Sequence, residues 1–548
     1  MSDLLRMTGM YSGMDTESIV SQLVKAKSTK VTNLKNEQKK LEWKQTAWQG
    51  LNSKIYNMYS KTLSNLRLTS AYSKKSTVSS DSTKATVVAS EGAVNGTQTL
   101  KVNKLAKSGY LTGAKLDGKT STTTGTDGKD VTKVVNWETT DKLSEIDSNL
   151  TGKTISITTG SGTDAKTTDI EITADMTIND LVAKFKDAGV NASFDTTNQR
   201  FFINSTGTGS AKNFTLTSDD STALASLGLD PNTTYTDING SKNSCVKIEG
   251  QDAEIVLNGA TFVSDSNTFS INGLTINTLG VTDEEISLVT STDYDGIYNT
   301  IKDFLTEYND LINEMDKLYN ADSARKYDML TNDEKDSMTD DEVEQWEDKI
   351  KSALLRKDNS LYNVMNTLTT TMMDGYYENN LSDKQKKNMS ASEISAWYKE
   401  NGGKKHYLSD YGIGTLSYFE AQDNEHHAYH INGDADDEFT STKEDKLKAA
   451  IAEDPEGTAN FFATLCKTLY SKLDETMSES TEYSSIYKVY NDKQLKKDYK
   501  DYTTKISDAE DELNDYEDRW YNKFSKMEVA LSKLQSQTSS ISSMLGSN

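Results

Sequence analysis

Residues 499–545 read YKDYTTKISDAEDELNDYEDRWYNKFSKMEVALSKLQSQTSSISSML. An apolar or aromatic residue returns at every seventh position: Tyr499, Ile506, Leu513, Trp520, Met527, Leu534 and Ile541. A second row joins late, with Phe524, Leu531 and Leu545. Rows three and four residues apart share one helical face. A seven-residue spacing held this long is the seam of a coiled coil or bundle rather than an ordinary surface helix. At about 1.5 Å per residue the helix would span roughly 65 Å. It cannot bury its stripe alone, so a partner helix is required, within the chain or in another copy.

The matching segment lies at the other end. Asp15–Leu68 reads helical and holds no proline. Leu34, Leu41, Trp48 and Ile55 are spaced by seven, with Ile19, Leu23, Met58 and Leu66 on neighbouring rows. Asp15 is a good N-cap and Glu17 complements the helix dipole; the helix is expected to run to about Ser70. The chain thus leaves along a helical stalk, builds something, and returns. Two readings follow: a terminal hairpin packed on a globular core, or a stalk that assembles with other molecules. The scarcity of core-forming sequence elsewhere favours the stalk.

Composition changes at Ala71. Up to Thr290 the chain is rich in Thr, Ser, Gly, Asn and Asp with short alternating apolar runs, the pattern of strands. Gly118–Asp130 reads as a polar loop. Thr177-Ile178-Asn179-Asp180 is a capping box opening a helix that Gly189 closes, and a shorter helix is expected at Ser221–Leu227. Asn258-Gly259 and Asn272-Gly273 are hairpin signals. From Tyr294 the pattern turns helical, with a wide stripe of Ile297, Ile301, Phe304, Leu305, Tyr308, Leu311 and Ile312. Asp340–Leu355, Leu361–Met373, Thr442–Ile451 and a segment starting at Asp454-Pro455 are further helices.

These readings predict an α+β multidomain chain: long terminal coiled-coil helices, a helical bundle domain, and two β-rich head domains inserted between them. The expected divisions are 1–75, an N-terminal leg helix; 76–240, a β-rich head domain with a small β-α-β insert; 241–292, a second β-rich region that part of 76–110 could complete; 293–475, a helical leg domain with an irregular insert at 374–439; and 476–548, the C-terminal leg helix. The boundary between the two heads is expected near Thr236–Ser244. Residues expected at a coiled-coil and assembly interface are Ile19, Leu34, Leu41, Trp48, Ile55, Leu513, Trp520, Phe524, Met527, Leu531, Leu534 and Ile541.

The chain has 548 residues and a net charge of −24. Such acidity argues against nucleic acid and anionic lipid as partners. No run of 18 or more apolar residues suits a membrane span. The start, Met1-Ser2-Asp3-Leu4-Leu5-Arg6, lacks the features of a cleaved signal peptide. The expectation is a cytoplasmic protein, or one exported by a route that reads no such signal. Cys245 and Cys466 lie in segments of different character and are expected to be separate thiols.

Little points to chemistry. The four histidines are His406, His426, His427 and His430. His426 and His430 have i, i+4 spacing, but no metalloprotease signature surrounds them, and Ala428–Gly433 reads as a strand entering a turn. Asn432–Glu438 is acidic but lacks EF-hand ligand spacing. No GxSxG, Walker A or GxGxxG fingerprint occurs. Neither catalytic residues nor a cofactor or metal are expected; the chain reads as a non-enzyme.

Ser12-Gly13-Met14-Asp15-Thr16-Glu17-Ser18-Ile19-Val20 resembles the N-terminal motif of the bacterial flagellar filament-capping family, flagellar hook-associated protein 2. The resemblance continues through Leu41–Lys44, Ile301–Leu311, Lys351–Asp358, Lys446–Ile451 and Arg519–Leu545. Thr177–Ser205 is similar to a small β-α-β insert of hook-associated proteins. The resemblance implies paired termini forming a coiled-coil leg, β-rich heads forming a plate at the filament tip, and a closed ring of about five or six copies. It further implies flagellin as partner, extracellular placement at the flagellum tip, export through the flagellar machinery with its chaperone, and, in some relatives, contact with host mucus or cells. The rival readings are a flagellin-like filament or hook-filament junction subunit and, from another class, an extracellular adhesin. A secreted hydrolase is disfavoured by the absence of motifs.

Overall fold

The computed structural model describes residues 11–124, 130–236, 242–379, 381 and 383–546. The chain divides into two units. One joins the residues up to Ser73 with those from Tyr294 onward; the other is Lys74–Asp293.

The helical unit begins with a helix at Thr16–Asn57, capped by Asp15, whose Oδ1 accepts the Ser18 N–H at 2.9 Å. A π-helical segment, Met58–Leu63, and a last turn, Ser64–Leu66, follow without a break. The π segment lies where the helix enters the bundle. There the Tyr59 ring stacks on Tyr470 with centroids 4.5 Å apart, and its hydroxyl donates to Asp474 Oδ1 at 2.6 Å. Three further helices, Tyr294–Tyr319, Asn359–Met373 and Pro455–Met477, turn their apolar faces inward. Their core gathers Ile301, Phe304, Tyr308, Leu368, Phe462 and Leu469 with Leu51, Ile55 and Met58. Pro455 sits in the first turn after Asp454, which caps Gly457 N–H at 2.9 Å. The C-terminal helix, Asp492–Leu545, is 54 residues long. Among the described residues no helix is long and apolar enough to cross a membrane.

The stretch 374–439 folds as small pieces on this bundle. Tyr376–Tyr377 pairs with Lys405–His406, and Ile413–Gly414 with His430–Ile431. The acidic turn after Ile431 has an internal cation: Lys302 Nζ lies 2.7 Å from Asp434 Oδ1 and 2.6 Å from Asp436 Oδ2. His430 is on a strand, with Nδ1 2.7 Å from Asp437 Oδ2, and the ring of His426 stacks on Tyr418.

The other unit contains two β cores. One is built from a five-stranded antiparallel sheet in the order Lys75–Ser79, Ile286–Thr292, Gly96–Lys104, Ala253–Leu257, Ala260–Ser264, and a three-stranded sheet, Thr268–Ile271, Leu274–Thr278, Ala85–Ala89. Leu100, Val102, Ile255, Phe269, Ile276 and Leu288 fill the space between them. Strands from 75–104 and from 253–292 thus share both sheets, although nearly 150 residues separate them in sequence. Asn258-Gly259 and Asn272-Gly273 turn their hairpins with φ positive at both residues, the geometry that two-residue hairpin loops favour.

The second core occupies the intervening residues. A four-stranded sheet, Val246–Ile248, Ser108–Thr112, Arg200–Thr208, Val190–Asp195, and a three-stranded sheet, Phe214–Ser218, Thr154–Thr159, Lys166–Glu171, enclose Ile155, Ile157, Phe201, Ile203 and Phe214. The helix Ile178–Asp187 adds Leu181 and Phe185, and Thr177 and Asp180 form its capping box. The polar loop expected at Gly118–Asp130 is corrected. Lys119–Thr124 is a strand paired with Asp130–Val135, residues 125–129 lying outside the described ones. Its threonines are β-branched and suit a strand, and Thr122 and Thr132 bond across the pair at 3.1 Å. The chain passes from the second core back to the first between Ile248 and Ala253; residues 237–241, within the expected boundary, lie outside the described ones.

Candidate assembly interface

The terminal helices pair antiparallel. Lys35 meets Glu510 at 2.6 Å, Lys30 meets Glu512 at 2.8 Å, and the Lys27 ammonium lies over the Tyr516 ring. Numbers fall along one helix as they rise along the other. Gln38 Nε2 donates to Thr503 Oγ1 at 2.7 Å nearer the bundle. The two ion pairs are well exposed, so they add little stability; charged pairs flanking a seam chiefly select register.

At its root the pair is sealed by the bundle. Trp48 is 1% exposed and stacks on Tyr490, just ahead of the C-terminal helix. Asn52 is buried beside it, donating Nδ2–H to Tyr487 O at 3.2 Å and accepting Val489 N–H at 2.9 Å. Farther out the two terminal helices lie along each other, and Lys25 of the first also lies 3.3 Å from Asp333 Oδ2. Val20 and Val31 are buried on one, Ile506 and Ala509 on the other. Ile19, Leu34, Leu41, Leu513, Trp520, Phe524, Met527 and Leu531 are half-buried. Tyr516, Trp520 and Phe524 form a ladder of neighbouring rings on the outer helix.

Of the residues the heptads singled out, the structure therefore places Trp48 and Ile55 in the bundle core. It leaves Ile19, Leu34, Leu41, Leu513, Trp520, Phe524, Met527 and Leu531 half-buried on the two paired terminal helices. Leu534 and Ile541 are 62% and 56% exposed. They continue the same row past the end of the N-terminal helix. From Val529 to Leu545 the C-terminal helix extends about 25 Å beyond Glu528, which faces the chain at Ser12.

Sequence reasoning overlooked that last contact. Glu528 is 1% exposed. Its Oε2 accepts the Tyr11 N–H at 2.9 Å and the Ser12 N–H at 3.3 Å, and its Oε1 accepts the Ser12 hydroxyl. The Ser12 hydroxyl, then the backbone N–H groups, hold this carboxylate below the ordinary glutamate range. Gly13, at φ +69°, reverses the chain from Ser12 into the helix capped by Asp15. Nothing local marks Glu528, because its partners lie more than 500 residues away. Tyr490 and Asn52 were overlooked for the same reason.

Among the described residues no group of three or more His, Cys, Asp or Glu side chains is placed to hold a metal ion. What the interface offers, among the described residues, is an apolar row buried at its root, half-buried along its length and exposed at its end.

Known proteins resemble the chain along its length. The N-terminal region of flagellar hook-associated protein 2 matches residues 12–109, and its C-terminal region matches residues 250–536. A flagellar hook-associated protein 2 of Halalkalibacterium halodurans is 24% identical over 586 residues, covering 98% of this chain and 99% of the relative. One of Thermotoga maritima is 26% identical over 382 residues, covering 69% of this chain and 53% of the relative. Among solved structures, the D1-D2-D3 domains of the Escherichia coli flagellar cap protein align with a TM-score of 0.46 at 19% identity, covering 80% of this chain and 97% of that one.

Proposed function

Since the chain belongs to the flagellar hook-associated protein 2 family, we propose that it caps the growing end of a flagellar filament, retains exported flagellin there and promotes its insertion. The observation that carries this reading is the open end of the leg. The row that is buried at Ile506 and half-buried through Leu513, Trp520 and Met527 continues, exposed, through Leu534 and Ile541. An apolar heptad row that no described residue covers calls for another helix, and in this reading flagellin supplies it. Copies of the chain assemble in this reading as a closed ring with their legs directed at the filament. Each contact along a half-buried seam is modest, so a leg can hold the tip and still release it when a subunit is added.

The test is immunogold electron microscopy of flagellated cells with antibody raised against the Lys74–Asp293 unit. Label confined to filament tips is the expected result. Label along the filament would make the chain a filament subunit, and label on the cell body with bare filaments would make it an adhesin; either overturns the cap.

A further inference from the structure

The motif Ser12-Gly13-Met14-Asp15 and the acidic side chain of Glu528 meet at the outer end of the leg. We infer that Glu528 is a positioning residue, a clasp that holds the outer half of the two-helix leg closed and so controls how much of the C-terminal helix is offered to a partner. The control over partner binding rests on the reading of the leg as the part seated in the filament.

The outer leg has little else to hold it. Between Ile19 and Leu34 on one helix, and Leu513 and Leu531 on the other, most apolar side chains are only half-buried. The ion pairs along the leg, Lys30–Glu512, Lys35–Glu510 and Lys25–Asp333, are exposed on both sides. The root, by contrast, is locked by the Trp48–Tyr490 stack and by Asn52, both inside the bundle. Two helices anchored only at one end fray from the other. Glu528 sits at that free end. It takes two backbone N–H groups and one hydroxyl on a single carboxylate, and charge-assisted bonds of this kind are about twice as strong as neutral ones. Ser12 supplies the hydroxyl, Gly13 the reversal and Asp15 the cap, so each polar or turning residue of the motif has a task in one closure.

With the clasp shut, only the exposed row beyond Glu528 is open to a partner helix. With it released, the row from Leu513 to Met527 becomes available as well, roughly doubling the length of seam. The clasp thereby sets a short reach for the resting leg and a long reach for the engaged one.

Hydrogen–deuterium exchange on the purified full chain tests this, comparing the native protein with Glu528→Ala, Glu528→Gln and Ser12→Ala. Glu528→Ala should raise amide exchange at least tenfold over residues 16–31 and 506–527 and leave 48–57 and 455–477 unchanged. Ser12→Ala should act in the same place more weakly. Glu528→Gln should fall between native and alanine, because an amide keeps one acceptor but loses the charge. Unchanged exchange in Glu528→Ala, or a rise spread evenly over the helical unit, overturns the clasp. Raised exchange at the leg with normal filament growth in cells carrying Glu528→Ala overturns its control of partner binding. Both results are separate from the immunogold experiment, which decides whether the chain is a cap at all.

Discussion

Trp48 lies flat on Tyr490, with ring centroids 5.0 Å apart and planes 4° from parallel. The stack joins the first long helix to the segment that launches the last one, where the paired helices leave the bundle. A heptad position thus does two different jobs along one helix: core residue at the root, seam residue farther out.

That difference sets the first prediction. Trp48→Ala should destabilise the helical unit by about 3–5 kcal/mol, the cost of truncating a fully buried tryptophan. Trp520→Ala, at a half-buried position, should cost only about 1–2 kcal/mol. Urea unfolding followed by far-ultraviolet circular dichroism measures both. Equal costs would mean that the outer seam is as closely packed as the bundle.

Placing a charge in the seam should separate folding from assembly. Trp520→Asp should abolish tip attachment and leave the Lys74–Asp293 unit folded, because Trp520 contributes to neither of that unit's cores. The check is tip labelling in cells alongside thermal unfolding of the purified variant. Normal filament growth with this variant would exclude the seam as the attachment surface.

Lys302 gives a pH dependence of known sign. Burial opposes its charge, but the hydrogen bonds and charges of Asp434 and Asp436 outweigh that and raise its pKa above the ordinary lysine value. A raised folded pKa means the stabilisation is complete below the unfolded value, near 10.4, and fades as pH climbs through the higher folded value. The stability gap between native protein and Lys302→Met should therefore be constant from about pH 7 to 9 and narrow above about pH 10.5. Denaturant titrations across that range read it; a gap that widens with alkali would contradict the bridge.

The two thiols should report on the two units separately. Both are buried and unpaired with each other. Burial pushes Cys466 up to about 12 and Cys245 up to about 11. The reactive thiolate should accordingly be suppressed on the order of a hundredfold or more at pH 8, with access blocked besides. Thiol labelling along a urea gradient should show Cys466 reacting as the helical unit opens and Cys245 as the Lys74–Asp293 unit opens. Rapid labelling of either in native buffer would show that its unit opens far more readily than its packing implies.

Much of this architecture was legible in the residue order because it is written in local periodicity. A seven-residue apolar repeat needs only its own helix to be recognised, and the rows through Trp48 and Trp520 announced both long helices. Capping residues such as Asp15, Thr177 and Asp454, and the Asn-Gly pairs at 258 and 272, marked element ends through chemistry contained in a few adjacent residues.

What tertiary structure decided was which of those periodic residues found partners. Sequence assigned Trp48, Leu513 and Ile541 to one seam. The fold buries the first under Tyr490, half-covers the second and leaves the third exposed, because cover depends on helices that end elsewhere in the chain. Strand pairing between Gly96–Lys104 and Ala253–Leu257, and the approach of Ser12 to Glu528, join residues far apart in sequence. Local pattern fixes which face of an element is apolar; only the closed chain determines what that face meets.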